Sequence, residues 1–300
     1  MKHFNKRNEH KVLVSYDITM ACNNRCPYCI RGHELDQNKM VNPEICDLVV
    51  SGIYDILDKD KNRHMEFELL GGDPLFVVDK TVEIIERLQD DRIDIIVTTN
   101  LNFDPDGYVI KSIMECSDIN RFTVTCSWHE SSNEDYIKRN LIQMKDIVEV
   151  MLLVSDENIN RVYEQYKWIR NNIGNVLMTV EPLNTTDGSL LLSDLDNPLY
   201  VEMVMNSIEN DVDLRVTIDD VVYDYHDCIK LDLKSISSKY YTICKLAQFR
   251  IKWDGKIKAD CAYPLKGHIR DGLPDIKEVF CNKHRCICDL DLYKKLIRER

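Results

Sequence analysis

From Val12 onward the chain alternates short apolar runs with longer amphipathic stretches, and this alternation sets the expected architecture. Val12 to Thr19 reads as a first strand. Asn42-Pro43-Glu44 then marks a helix start, with Asn42 as the cap and Pro43 at the first helical position. Ile45, Leu48, Val49, Ile53, Ile56 and Leu57 follow at helical spacing. Met65 to Leu70 predicts a second strand. The cycle continues with helix 81–89, strand 93–98, helix 106–116, strand 121–127, helix 133–145, strand 148–154, helix 159–172 and strand 176–182. Strands separated by single helices imply parallel pairing through right-handed crossovers. The fold class expected is therefore α/β: an open, partial (βα)6 barrel of TIM type. A polar loop at 184–189 precedes a last helix from Pro198 through Ser207. From about residue 212 short β runs such as Leu214-Arg215-Val216-Thr217-Ile218 replace the cycle. The expected division is a barrel at 1–211 and a small β-rich extension at 212–300.

In such a barrel, chemistry gathers at the C-terminal ends of the strands. Cys22, Gly71-Gly72-Asp73, Asn100, Ser127-Trp128-His129 and Glu181 all fall just past strand ends and are expected to line one rim. The first of these belongs to Cys22-Asn23-Asn24-Arg25-Cys26-Pro27-Tyr28-Cys29, three cysteines within eight residues. One short loop can aim all three sulfurs at a common point. A tetrahedral zinc site would want a fourth ligand nearby; His33 is the local candidate, and its spacing fits no zinc pattern. A loop of three thiolates suits a four-iron, four-sulfur cluster with one iron left open. A structural zinc loop is the alternative.

Composition narrows the setting. The 300 residues include 44% hydrophobic and 30% charged positions, enough for a sizeable core under a soluble surface. The formal net charge of −12, with no Lys/Arg run, argues against a polynucleotide partner. No apolar run approaches the roughly 20 residues of a membrane span. The start, Met1-Lys2-His3-Phe4-Asn5-Lys6-Arg7, leads into no apolar segment of a signal peptide. The expected location is the cytoplasm, where twelve cysteines serve metal more readily than disulfides.

Cys-x3-Cys-x2-Cys with an aromatic before the last cysteine resembles the signature of the radical S-adenosylmethionine (radical SAM) superfamily. The resemblance implies that the open iron of a cluster on Cys22, Cys26 and Cys29 chelates S-adenosylmethionine, which is cleaved reductively to a 5′-deoxyadenosyl radical that takes hydrogen from substrate. Gly71-Gly72-Asp73-Pro74 is similar to the family's Gly-Gly-Glu-Pro motif, whose backbone and acid hold the cofactor's amino group; Asp73 is one methylene shorter than the usual residue. By the same resemblance Tyr28 packs beside the adenine or shields the cluster, and Thr99-Asn100 and Ser127 sit where family members contact cofactor or substrate. His129 and Glu181 are candidate catalytic residues. His129 is a proton donor or acceptor on the substrate, or else a surface histidine at a helix entry. Glu181 binds a cationic substrate group or accepts a proton, or else is a structural carboxylate.

Five more cysteines cluster at the end of the chain: Cys244, Cys261, Cys281, Cys286 and Cys288. Residues 244–261 read as a β-hairpin turning at Asp254-Gly255, which brings Cys244 and Cys261 together. This resembles the twitch domain, the truncated relative of the SPASM domain, although five residues separate Gly255 from Cys261 where the usual pattern has four. The resemblance implies one auxiliary iron–sulfur cluster, a [4Fe-4S] centre on four of the five thiols, with Cys244, Cys261 and Cys281 joined by Cys286 or Cys288; zinc is the alternative there. Modification of a ribosomal peptide is the activity this setting implies. The competing substrates are a small metabolite or a nucleotide, and a third class is a non-catalytic iron–sulfur protein. The implied partners are a reducing protein such as flavodoxin or ferredoxin and, since only about ten residues precede the first strand, a separate leader-binding protein.

Overall fold

A computed structural model of the protein describes residues 11–29, 31–32, 34–174, 176–183, 191–207, 216–218, 221–223, 240–246, 248–258, 266–274, 277–281 and 294–298. The six expected strands form at β1 (Lys11–Thr19), β2 (His64–Gly71), β3 (Ile93–Thr99), β4 (Phe122–Ser127), β5 (Val148–Val154) and β6 (Met178–Pro182). Each pairs in parallel with its successor. The intervening helices are α1 (Pro43–Asp58), α2 (Val78–Arg87), α3 (Tyr108–Met114), α4 (Glu134–Gln143) and α5 (Ile159–Asn172), with α6 (Pro198–Ser207) after β6. This is the open βα barrel that the alternation predicts.

Alternating residues divide the two faces of the sheet. Val12, Val14, Tyr16 and Ile18 of β1 are fully buried, as are Met65, Phe67 and Leu69 of β2, in one continuous apolar core with the helices. Tyr16 reaches α1, its hydroxyl 3.6 Å from Cys46 Sγ. The opposite face is polar: Ser15 Oγ donates to Glu68 Oε2 at 3.1 Å, and Thr98 Oγ1 donates to Glu68 Oε1 at 2.8 Å. Local signals fix the helix entries. Asn42 Oδ1 accepts from Glu44 N–H at 3.1 Å, with Pro43 in the first turn. Asn133 caps α4 by accepting from Asp135 and Tyr136 N–H. The helix expected at 81–89 begins earlier, because Asp73 caps a 3-10 turn at Pro74–Val77 that runs directly into α2.

The C-terminal part differs from expectation. Strands β7 (Val216–Ile218) and β8 (Val221–Tyr223) form a two-stranded sheet, and β9 (Tyr240–Leu246) lies between β13 (Lys277–Cys281) and β14 (Lys294–Arg298) in a separate sheet of three. The hairpin is β10 (Gln248–Ile251) against β11 (Lys256–Lys258), followed by β12 (Lys266–His268). Its turn is at the expected Asp254-Gly255, with Gly255 at φ +82°. The expected hairpin from 244 to 261 is therefore divided: Cys244, on β9, pairs with Val279 and Lys294 instead. Moreover, β10 adds to the barrel sheet in parallel beside β1, giving the order β12-β11-β10-β1-β2-β3-β4-β5-β6. Residues on both sides of the expected boundary at 211/212 thus share one sheet. No helix among the described residues is long and apolar enough to cross a membrane.

Candidate metal and cofactor site

The loop bearing Cys22, Cys26 and Cys29 leaves the C-terminal end of β1, the rim where the barrel gathers chemistry. Its path is fixed by backbone turns, with Cys29 N–H donating to Cys26 O at 3.1 Å and Gly32 N–H to Cys29 O at 2.9 Å. Two side chains hold its first carbonyl: Arg25 and Gln37 both donate to Cys22 O, at 2.9 and 2.7 Å.

Two of the three sulfurs already have hydrogen-bond partners. Asn24 N–H and Asn100 Nδ2 lie 3.4 and 3.6 Å from Cys22 Sγ, and Ser131 Oγ lies 3.3 Å from Cys26 Sγ. Donors of this kind stabilise thiolates and tune an iron–sulfur centre. Without metal, burial and then the Asp73 carboxylate push the Cys22 thiol up to about 11, with smaller contributions from Cys26 and Cys29. Burial also raises the Cys26 and Cys29 thiols. The three sulfurs thus feel one another's charge. Yet among the described residues no three Cys, His, Asp or Glu side chains close on one point as ligands of a single ion.

Asparagines, of which sequence reasoning singled out Asn100 alone, fasten the loop to the neighbouring strands. Asn100 Nδ2 donates to Asn23 Oδ1 at 2.8 Å, and Asn23 Nδ2 to Asn102 O at 2.6 Å. Asn24 joins Ser132 Oγ and Asn102 Nδ2 at 2.9 and 2.8 Å, and Asn102 Oδ1 accepts from Asn133 N–H at the start of α4. One network therefore ties the cysteine loop to the ends of β3 and β4. The usable signal was the pair Asn23-Asn24 inside the cysteine spacing, facing two more asparagines after β3.

Gly71-Gly72-Asp73 lies beside this loop, as expected, and backbone hydrogen bonds hold it there. Gly72 N–H donates to Thr19 O and Asp73 N–H to Ala21 O, both at 2.8 Å. A Cβ on Gly71, at φ +145°, would meet Thr19 O at 2.0 Å, and one on Gly72 would meet Ala21 O at 2.2 Å. The glycines allow backbone to lie against backbone at the entry to the cysteine loop. The Asp73 carboxylate is engaged by protein groups. It is fully buried and accepts from Leu75 N–H, Thr99 Oγ1 and Asn100 N–H at 2.8–2.9 Å. Burial raises its carboxyl to about 6 against those bonds. Asp73 and Thr99 together align the ends of β2 and β3.

The remaining rim residues divide. Tyr28 Oη is 3.2 Å from His129 Nδ1, with the rings 5.8 Å apart, so these two candidates form a pair. Burial depresses His129 to about 4, and burial raises Tyr28 to about 12. Trp128 turns away into the helical layer, edge-on to Trp168 at 5.8 Å. Ser127 is buried at the end of β4, its Oγ 3.9 Å from Met151 Sδ. Glu181 is exposed near the end of β6. Of the C-terminal cysteines, Cys244 and Cys281 lie on adjacent strands, Cys281 opposite Thr242 and two positions from Cys244. Cys261, Cys286 and Cys288 lie outside the described residues.

Comparison with known proteins agrees with this geometry. A family model described as a 4Fe-4S single cluster domain matches residues 13–144, which run from β1 to the end of α4 and contain all three loop cysteines. A solved structure described as polyhistidine-tagged anSMEcpe with bound AdoMet has a TM-score of 0.55 at 16% identity, covering 87% of this chain and 75% of that one. SuiB from Streptococcus suis has a TM-score of 0.59 at 13% identity, covering 87% of this chain and 64% of its own. SuiB bound to S-adenosylmethionine gives 0.54 at 13%, covering 86% and 61%. At such identities the likeness is one of fold, and this chain spans less than two thirds of SuiB. No curated protein sequence matches the chain.

Proposed function

We propose that the protein is a radical SAM enzyme. The observation that carries this reading is the three-cysteine loop at the C-terminal end of β1, inside the stretch that matches a 4Fe-4S single cluster domain, with hydrogen bonds already on the Cys22 and Cys26 sulfurs. When bound there, a four-iron cluster with one open iron would supply reductive cleavage of S-adenosylmethionine to a 5′-deoxyadenosyl radical that takes hydrogen from substrate. The chain's part is to hold and enclose. Asn24 and Asn100 hydrogen-bond the Cys22 sulfur and Ser131 that of Cys26, and the asparagine network ties the loop to its neighbours. Gly71 and Gly72 bring the β2 turn against it. The pair Tyr28–His129 borders the loop, and His129, neutral at neutral pH, can accept the Tyr28 hydroxyl proton in a hydrogen bond. Glu181, near the end of β6, is the candidate for a cationic part of the substrate.

The finer reading is modification of a ribosomal peptide, with one auxiliary [4Fe-4S] cluster, electrons from flavodoxin or ferredoxin, and a cytoplasmic setting. The register that places Cys244 and Cys281 on neighbouring strands supports an auxiliary site. The test of the main reading is spectroscopic. Anaerobically reconstituted, reduced protein should show an electron paramagnetic resonance signal that changes on adding S-adenosylmethionine. A signal indifferent to that addition would refute the assignment.

A further inference from the structure

The C-terminal hairpin reaches back to the segment that carries the cysteines. β10 registers Arg250 against Ser15 of β1, and Arg250 Nε donates to Asp17 Oδ1 at 3.3 Å. From the other side Arg31, two residues after Cys29, donates through Nη1 to the same oxygen and to Gly71 O. Asp17 is fully buried, and its Oδ2 has no hydrogen-bond partner. Two further contacts follow along the same segment: Lys252 Nζ pairs with Glu34, and Lys39 Nζ lies 6.0 Å from the Trp253 ring. Residues 250–253 thus meet residues 31–39 directly at two points, Lys252–Glu34 and Trp253–Lys39, and a third time through Asp17.

We propose that Arg250 is a positioning residue for the three-cysteine loop, fixing through Asp17 and Arg31 the path of the chain just after Cys29. The argument is electrostatic. A buried carboxylate is costly unless cations compensate it. Burial raises the Asp17 carboxyl, and the charge of Arg250 is the largest influence opposing that rise, ahead of the charges of Lys252 and Lys258. With Arg250 removed, Asp17 loses one of the two guanidinium groups that meet its Oδ1 and keeps Arg31 and the pull of the two lysines. The Asp17 side chain is then fixed from one side only, and so is Arg31, whose other hydrogen bond, to Gly71 O, is 3.3 Å long. The chain after Cys29 is then released. The C-terminal segment, read from sequence as a separate domain, becomes part of the first cysteine site.

The consequence for a cluster rests on the function proposed above, but the claim about the loop does not, so its test uses metal-free, full-length protein. The rate of N-ethylmaleimide modification at Cys26 and Cys29 would be followed by peptide mapping, with buried Cys116 as an internal control. Arg250→Gln should speed labelling of Cys26 and Cys29 roughly tenfold, the change that about 1.4 kcal/mol of lost loop closure gives. Arg250→Lys should restore the wild-type rate. Arg270→Gln, which breaks the exposed pair with Glu44 elsewhere on the C-terminal segment, should change nothing. Should Arg250→Gln fail to fold, Lys252→Gln must speed the same two thiols by a smaller factor. Unchanged labelling, equal labelling in the Lys and Gln variants, or equal acceleration at Cys116 would each overturn the proposal.

Discussion

A methyl group on Gly72 would stand 2.2 Å from the carbonyl oxygen of Ala21, the residue before Cys22. Gly72→Ala must therefore push the β2 turn away from the cysteine loop, at a cost of roughly 2–3 kcal/mol. It should lower both the melting temperature and the iron taken up per chain; full iron with impaired cofactor binding would return the glycine to a role in ligand contact. His129 gives a pH-dependent prediction. Its folded pKa of about 4 lies below the ordinary 6.5, so the unfolded chain binds the proton first as pH falls. Stability from this group is complete above pH 6.5 and is lost as pH drops toward 4, by up to roughly 3 kcal/mol. Urea melts of metal-free protein at pH 4.5 and 7.5 should show a smaller acid loss in His129→Gln than in wild type; equal losses would place the ring in water. At this scale the sequence showed which residues meet and often missed why. Gly72 and Asp73 stand beside the cysteines as their motif suggested, but they meet protein groups there. Asn23, Asn24 and Asn102 escaped notice because a loop asparagine has many ordinary uses, and only the fold brings these together.

The barrel elements were legible because each carries its own local signal: a period of two in the strands, helical spacing between them, and caps at Asn42 and Asn133. β10 was not, since its partner is β1, more than two hundred residues away, and no local pattern announces parallel addition to a sheet edge. Its Phe249 and Ile251 are fully buried in the barrel core. Removing them exposes the apolar edge of β1, and each large side chain contributes roughly 1.5–3 kcal/mol by burial. A fragment ending at residue 211 should therefore be aggregated or lack cooperative unfolding by circular dichroism. A soluble, cooperatively folding 1–211 fragment would show that the hairpin only decorates the barrel.

For the whole molecule, the parallel sheet sets one polar rim, the rim takes the cysteine loop from β1, and β2, β3, β4 and β10 each supply groups that hold the loop in place. The proposal that this assembly performs radical chemistry with S-adenosylmethionine is tested most directly by product analysis. Iron-loaded protein, reduced without oxygen and given S-adenosylmethionine, should release 5′-deoxyadenosine and methionine in equal amounts, and Cys26→Ala should release neither. Wild-type protein holding its full iron and forming no 5′-deoxyadenosine under these conditions would contradict the account.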